Sequence, residues 1–176
     1  MLPPDYQQPF LDRARDAVNL AVDNGEEVFF VDECTFSPKT YKPGMWAPVG
    51  DPIVFQRRWE PQRYVAVMGA ASLESGLFYW ESTYGAAMKA DQTKQFLRNL
   101  KGQTHKPRIV VFWDNAGIHR AAAVRLYAME LGIRLIMNAP YRPDLNGIEE
   151  IWGHAKRYYR NRIAWHRAND VPYKNT

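Results

Sequence analysis

Three acidic side chains stand where this sequence passes between an ordered element and a loop, and together they have the chemistry to hold divalent metal. Asp32 follows the apolar run Val28-Phe29-Phe30-Val31, and Asp114 follows Ile109-Val110-Val111-Phe112-Trp113. Glu149 sits at the start of a helical segment, with 34 residues between it and Asp114. Hard divalent ions prefer all-oxygen ligand sets of this kind. Three unpaired carboxylates at one place repel one another, so a cation is the natural resolution. Each acid also has an ordinary structural reading. Asp114-Asn115-Ala116-Gly117 is a turn on its own merits. Asn146 with Glu149 three residues on fits a capping box, Gly147 falling where proline often begins a helix.

Convergence of the acids depends on the elements that carry them. The runs ending at Asp32 and Asp114 are apolar on both alternating faces, as in strands in the middle of a sheet covered on both sides. If they are parallel neighbours, about 4.8 Å apart, their terminal carboxylates meet at one end of the sheet, where the chain order reverses.

The rest of the chain supplies a frame for this. Gln8 to Asn24 has apolar residues at three- and four-residue steps and predicts an amphipathic helix stopped by Gly25. Arg63 to Ser72 and Leu77 to Thr83 predict two strands joined at Glu74-Ser75-Gly76. Asp91 to Leu100 predicts a helix burying Phe96, Leu97 and Leu100, His119 to Leu131 a helix ending at Gly132, and Ile133 to Met137 a short strand. The last helix is expected from about Asn146 to Ile163, with Ile148, Ile151, Trp152, Ala155 and Tyr159 as its core stripe. Between Ser37 and Pro61, five prolines with Trp46, Trp59, Arg57 and Arg58 argue for an excursion rather than a central strand. A meander of three strands followed by alternating helices and strands predicts a mixed five-stranded sheet with helices on both faces.

Composition bounds the rest. At 176 residues the chain fits one domain. With 46% hydrophobic and 14% aromatic residues, disorder and fibrous repeats are excluded. A formal charge of +4 and a pI near 9.2 favour a polyanionic partner. A single cysteine, Cys34, excludes an internal disulfide and a cysteine-rich zinc site. Without an apolar run near the roughly 20 residues of a membrane helix, and with Met1-Leu2-Pro3-Pro4-Asp5 unlike a signal peptide, a soluble cytoplasmic protein is expected.

Val31-Asp32-Glu33, Trp113-Asp114-Asn115 with His119, and Pro140-Tyr141-x-Pro143-Asp144-Leu145-Asn146-x-Ile148-Glu149 with Trp152 resemble the three acidic motifs of the DDE transposases. The likeness is greatest to the bacterial insertion-sequence group related to the mariner superfamily, whose second and third acids share the 34-residue spacing. It runs from Val28 to Arg162. The resemblance implies a ribonuclease-H-like α/β fold with strand order 3-2-1-4-5, and Asp32, Asp114 and Glu149 as a catalytic triad binding two Mg²⁺ or Mn²⁺ ions. It implies cleavage and joining of DNA, with transposon ends and target DNA as partners and a homodimer in the synaptic complex. Glu33 and Glu150 are read as neighbours pointing elsewhere, and Gly147 and Arg142 stand where the family usually has proline and serine.

Arg57, Arg58, His119, Arg142, Lys156 and Arg160 are candidate nucleic-acid contacts, His119 and the helix cations having solvated or structural roles as alternatives. Residues 1–176 are expected to form one catalytic domain: an N-terminal helix over 1–27, an inserted loop over 37–61, a polar tail over 164–176, and no helix-turn-helix recognition module. A nuclease that cuts without joining, and a DNA-binding remnant without catalysis, are the rival readings.

Overall fold

Gly25, with φ +67°, ends the first helix and turns the chain into the sheet. This is seen in a computed structural model that describes residues 8–37, 49–50, 64–76, 78–139 and 142–169, the last helical residues 167 and 168 by backbone alone. The elements are α1 (Gln8–Asp23), β1 (Glu27–Phe36), β2 (Val65–Ser72), β3 (Phe78–Tyr84), α2 (Ala90–Gly102), β4 (Ile109–Trp113), α3 (Ala122–Glu130), β5 (Ile133–Met137) and α4 (Ile148–Ala168), with a 3-10 turn at Pro143–Leu145. The strands form one sheet in the order β3-β2-β1-β4-β5. β1 runs antiparallel to β2 and parallel to β4, and β4 is parallel to β5. Most of the inserted loop, Arg57 and Arg58 with it, lies outside the described residues, as do Pro140 and Tyr141.

Alternation along the strands divides the core. Phe29, Val31, Met68, Ala70, Ile109, Val111 and Trp113 project to the side covered by α2 and α3, meeting Phe96, Leu97, Leu100, Val124 and Ala128. On the other side Val28, Val110 and Phe112 meet Ala14 and Ala21 of α1, and Cys34, Val67 and Ala71 meet Ile148 and Trp152 of α4. All five residues of β4 are buried, as expected of a strand covered on both faces.

Three expectations need correction. β1 does not stop at Asp32; it continues to Phe36 by pairing with β2 as far as Val65. Only its pairing with β4 ends early, at Phe30 opposite Phe112. α3 starts at Ala122, so His119 lies in the turn before it. α4 runs on to Ala168, because no glycine or proline stands between the expected end at Ile163 and Pro172. No helix among the described residues is long and apolar enough to cross a membrane.

Candidate active site

The end of the β1–β4 pairing sets the site. Continued two steps beyond Phe30 opposite Phe112, the register brings Asp32 level with Asp114, and both positions lie on the α4 side of the sheet. Across β2, Asp32 pairs with Gly69. Ile148 and Trp152 pack on this face and bring the first turn of α4, with Glu149, over the strand end. Asp32, Asp114 and Glu149 thus line one cavity of about 560 Å³, with Asn138, Arg142 and Asn146 among its other walls.

The acids feel one another. Burial pushes the Asp32 carboxyl up to about 6, a backbone hydrogen bond from Glu33 opposing this and the negative charges of Glu149, Asp114 and Glu33 adding to it. Asp114 moves the other way. The hydrogen bond from His119 holds it below the usual carboxylate range against its burial, helped by the Ala116 N–H, which donates to Oδ1 at 2.9 Å. In this arrangement no three His, Cys, Asp or Glu side chains among the described residues are gathered tightly enough to hold one ion. Asp114 Oδ1 is turned toward His119 and the following turn rather than toward Asp32.

His119 is fully buried. Its ring stacks on Trp113, 4.3 Å between centroids and 6° from parallel, on the sheet face opposite Asp32. From there Nδ1 lies 2.6 Å from Asp114 Oδ1 and Nε2 3.2 Å from Glu33 Oε1. With a carboxylate at each ring nitrogen, the protonated imidazole donates to both. Burial alone would lower its pKa, but the bonds to Asp114 and Glu33 outweigh burial and raise it to about 9. Glu33 does project from the face opposite Asp32. It is nevertheless tied to the site, because that face is where His119 lies.

The start of α4 differs from the expected capping box. Gly147 is the N-cap, with no side-chain cap bond. Asn146 instead donates from Nδ2 to the Val31 carbonyl at 3.0 Å, fastening the helix entrance to β1 one residue before Asp32. Its Oδ1 is buried with no hydrogen-bond partner among the described residues. Glu149 lies in the first turn of α4, where the helix dipole favours negative charge.

With this geometry in view, comparison with known proteins decides the family: the one described as DDE superfamily endonuclease matches residues 27–171. The chain belongs to the DDE superfamily endonucleases. No curated protein matches it in sequence. Among solved structures, the "Mos1 transposase paired-end complex with left transposon end" is 18% identical with a TM-score of 0.66, covering 90% of this chain and 50% of that one. The "Mos1 mariner paired end complex with Mn" is 21% identical with a TM-score of 0.65, over 89% of this chain and 50% of that one. The "Mos1 transposase catalytic domain and Raltegravir with Mg" is 18% identical with a TM-score of 0.59, over 96% and 83%. This DDE endonuclease chain therefore spans about half the length of the first of these structures. The shared fold is ribonuclease-H-like, the mixed sheet in the order 3-2-1-4-5.

The remaining predicted contacts of the DDE endonuclease fall unevenly around the cavity. Arg142 lines it, but its guanidinium forks onto Asp144, Nε to Oδ1 at 2.9 Å and Nη2 to Oδ2 at 2.7 Å, which offsets its charge. Lys156 is exposed on α4, and its ammonium faces the buried Cys34 thiol. Burial pushes that thiol up, with Lys156 opposing. Arg160, one turn further along α4, is exposed. Glu150 is exposed too, consistent with a residue facing away.

One residue that motif reading missed is Gly69. A Cβ there would stand 2.7 Å from Cη2 and 2.8 Å from Cζ2 of Trp152, and 3.2 Å from Cδ1 of Ile148. Glycine at this position lets α4 sit close enough to bring Glu149 to the cavity. Its signal in the sequence was a glycine inside an otherwise regular strand. Gly69→Ala is expected to cost about 1–3 kcal/mol in chemical denaturation through overpacking, and to lower activity by shifting Glu149.

Proposed function

We propose that this chain is the catalytic domain of a DNA transposase, which cuts DNA and joins the cut end to a target through a metal-assisted phosphoryl transfer. The observation that carries the reading is the meeting of Asp32, Asp114 and Glu149, from β1, the end of β4 and α4, in one cavity at the end of the sheet. Residues 1–176 are read as one catalytic unit, acting on DNA inside the cell, with transposon ends and target DNA as partners and a homodimer as the synaptic form. Structures of the same fold that hold a transposon end, Mn or Mg support this, together with this chain's place among the DDE superfamily endonucleases.

The donor set fits divalent Mg²⁺ or Mn²⁺. Asp32 is pushed up to about 6, by burial first and then by the negative charges of Glu149, Asp114 and Glu33, and a bound cation would offset both. The buried Asn146 Oδ1 adds an unpartnered neutral oxygen on the same cavity wall. Asp32, Asp114 and Glu149 would hold the metal, with side-chain rotation of Asp114 toward Asp32. Two ions bound there would activate the attacking water or 3′-hydroxyl and offset charge on the leaving oxygen.

The chain's own residues prepare the site. His119 keeps Asp114 ionised and Glu33 keeps His119 protonated. Asn146 fixes the entrance of α4 against β1, so that Glu149 faces the strand end. Lys156 and Arg160 lie further along the same helix and are placed to neutralise phosphates.

Nicking of supercoiled plasmid tests the reading. Cleavage should require Mg²⁺ or Mn²⁺ and stop with EDTA, and pre-cut ends should be joined to target DNA. Cleavage that persists in EDTA overturns the metal assignment, and cleavage without joining assigns the chain to nucleases that only cut.

A further inference from the structure

A second cavity, of about 660 Å³, runs along β5 and α3. β5 is an edge strand of the sheet, so no further strand among the described residues covers this side. Arg108, Arg120, Arg125 and Arg134 line it, and Glu26 is the one acid among its lining residues. Arg134 Nη2 donates to Glu26 Oε2 at 2.6 Å, so that pair cancels. The side chains of the exposed Arg108, Arg120 and Arg125 make no hydrogen bond or ion pair with described residues. The cavity therefore carries three uncompensated positive charges. It also adjoins the carboxylate cavity, because Asn115 and Arg120 line both.

We infer that the groove formed by Arg108, Arg120 and Arg125 is a DNA-backbone site, taking the duplex that continues away from the bond held at Asp32, Asp114 and Glu149. The inference rests on the DNA-cleaving reading above. Its chemistry is specific to phosphates. Guanidinium groups are weakly hydrated planar forks that match phosphate oxygens in pairs. The apolar lining is aliphatic, Met129, Ile133, Leu135 and Met137, with no aromatic ring among the lining residues on which an unpaired base would stack. That favours the backbone of a duplex over a splayed single strand. The five residues of β5 extend about 16 Å, a length over which one strand of duplex presents several phosphates, at about 3.4 Å each along the axis.

The test uses the full chain and a fluorescein-labelled linear duplex, with affinity read by anisotropy across a salt series in EDTA. Arg108→Gln with Arg125→Gln removes two charges that do not line the carboxylate cavity; Arg98→Gln, on α2 and lining neither cavity, is the charge control. Loss of two phosphate contacts is expected to flatten the slope of log K against log salt by about 1.8, since each contact contributes about 0.9. Affinity should fall at least roughly tenfold at low salt while Arg98→Gln leaves the slope unchanged. Circular dichroism melting of each variant checks that the fold is kept. A wild-type slope retained by the double variant overturns the groove assignment alone. A wild-type chain that binds no duplex at any salt overturns the DNA-cleaving reading, and the groove falls with it.

Discussion

Asp32→Asn and Asp114→Asn are each expected to reduce metal-dependent plasmid nicking by on the order of 10³-fold or more, and to move thermal stability in opposite directions. Each change removes a carboxylate charge from the cavity to which the proposed function assigns the metal, while keeping side-chain volume. Losing one neutral hydrogen-bond donor from a reacting site already costs about 10² to 10³, and a ligand charge should cost at least as much. Stability divides because the two environments divide. Burial and neighbouring negative charge push Asp32 up to about 6. A carboxyl raised in the folded state favours its neutral form, so its contribution to stability declines as pH rises from about 4 to about 6 and stays low above that. At pH 8 in EDTA, Asp32→Asn should therefore melt higher than wild type, by roughly 1–2 kcal/mol after allowance for partial exposure.

Asp114 sits below the usual carboxylate range, chiefly through its bond from His119. Its ionised form stabilises the fold at neutral pH, a contribution lost only on acidification. Asp114→Asn should melt lower. Melting both variants at pH 8 and at pH 4.5 checks the pair, since the gain for Asp32→Asn must shrink at the lower pH. Equal shifts of the same sign would contradict this account of the electrostatics, and nicking retained by either variant would sink the triad.

His119 carries the second large effect. Its ring is fully buried, stacked on Trp113, and bonded to Asp114 and Glu33. His119→Ala removes the stack and strands two carboxylates, with side-chain exposures of 52% for Asp114 and 27% for Glu33. Full burial of the acids would put the loss near 3–5 kcal/mol; their access to water brings the expectation to about 2–4 kcal/mol. The sign with pH follows from the raised value of about 9. The stability that protonated His119 contributes is complete below about 6.5, its ordinary value, and is lost as pH rises through about 9. Melting curves from pH 6 to pH 10 should show the gap between wild type and His119→Gln narrowing across that window. The Gln variant should also nick DNA about 10- to 100-fold more slowly, since an outer partner that orients a ligand is worth that much. An unchanged nicking rate would make the residue purely structural.

Much of this was legible in the residue order. The doubly apolar runs at Val28–Val31 and Ile109–Trp113 required central strands, and β5 was read with its observed bounds because a glycine and a change of period mark it. The resemblance of the three acidic motifs led to the family and the strand order. What was misread shares a cause. The end of β1 was placed at Asp32 because polarity changes there, yet pairing with β2 carries the strand on to Phe36. Asn146 was read as a helix cap because its type and spacing fit, yet the Val31 carbonyl, 115 residues away, takes its amide. Glu33 was set aside because alternation turns it from Asp32, and nothing local shows that His119 waits on that face.

By itself, then, the sequence determined the elements, their faces and which acids are candidates, because period, breakers and apolar content act over a few residues. Only the tertiary structure decided how the acids differ. The parallel register of β1 with β4 sets Asp32 beside Asp114, Gly69 leaves room for Trp152 and so for the helix of Glu149, and His119 reaches around the strand end to hold one carboxylate charged. These depend on burial and on through-space charge between residues far apart in the chain, which no local pattern encodes.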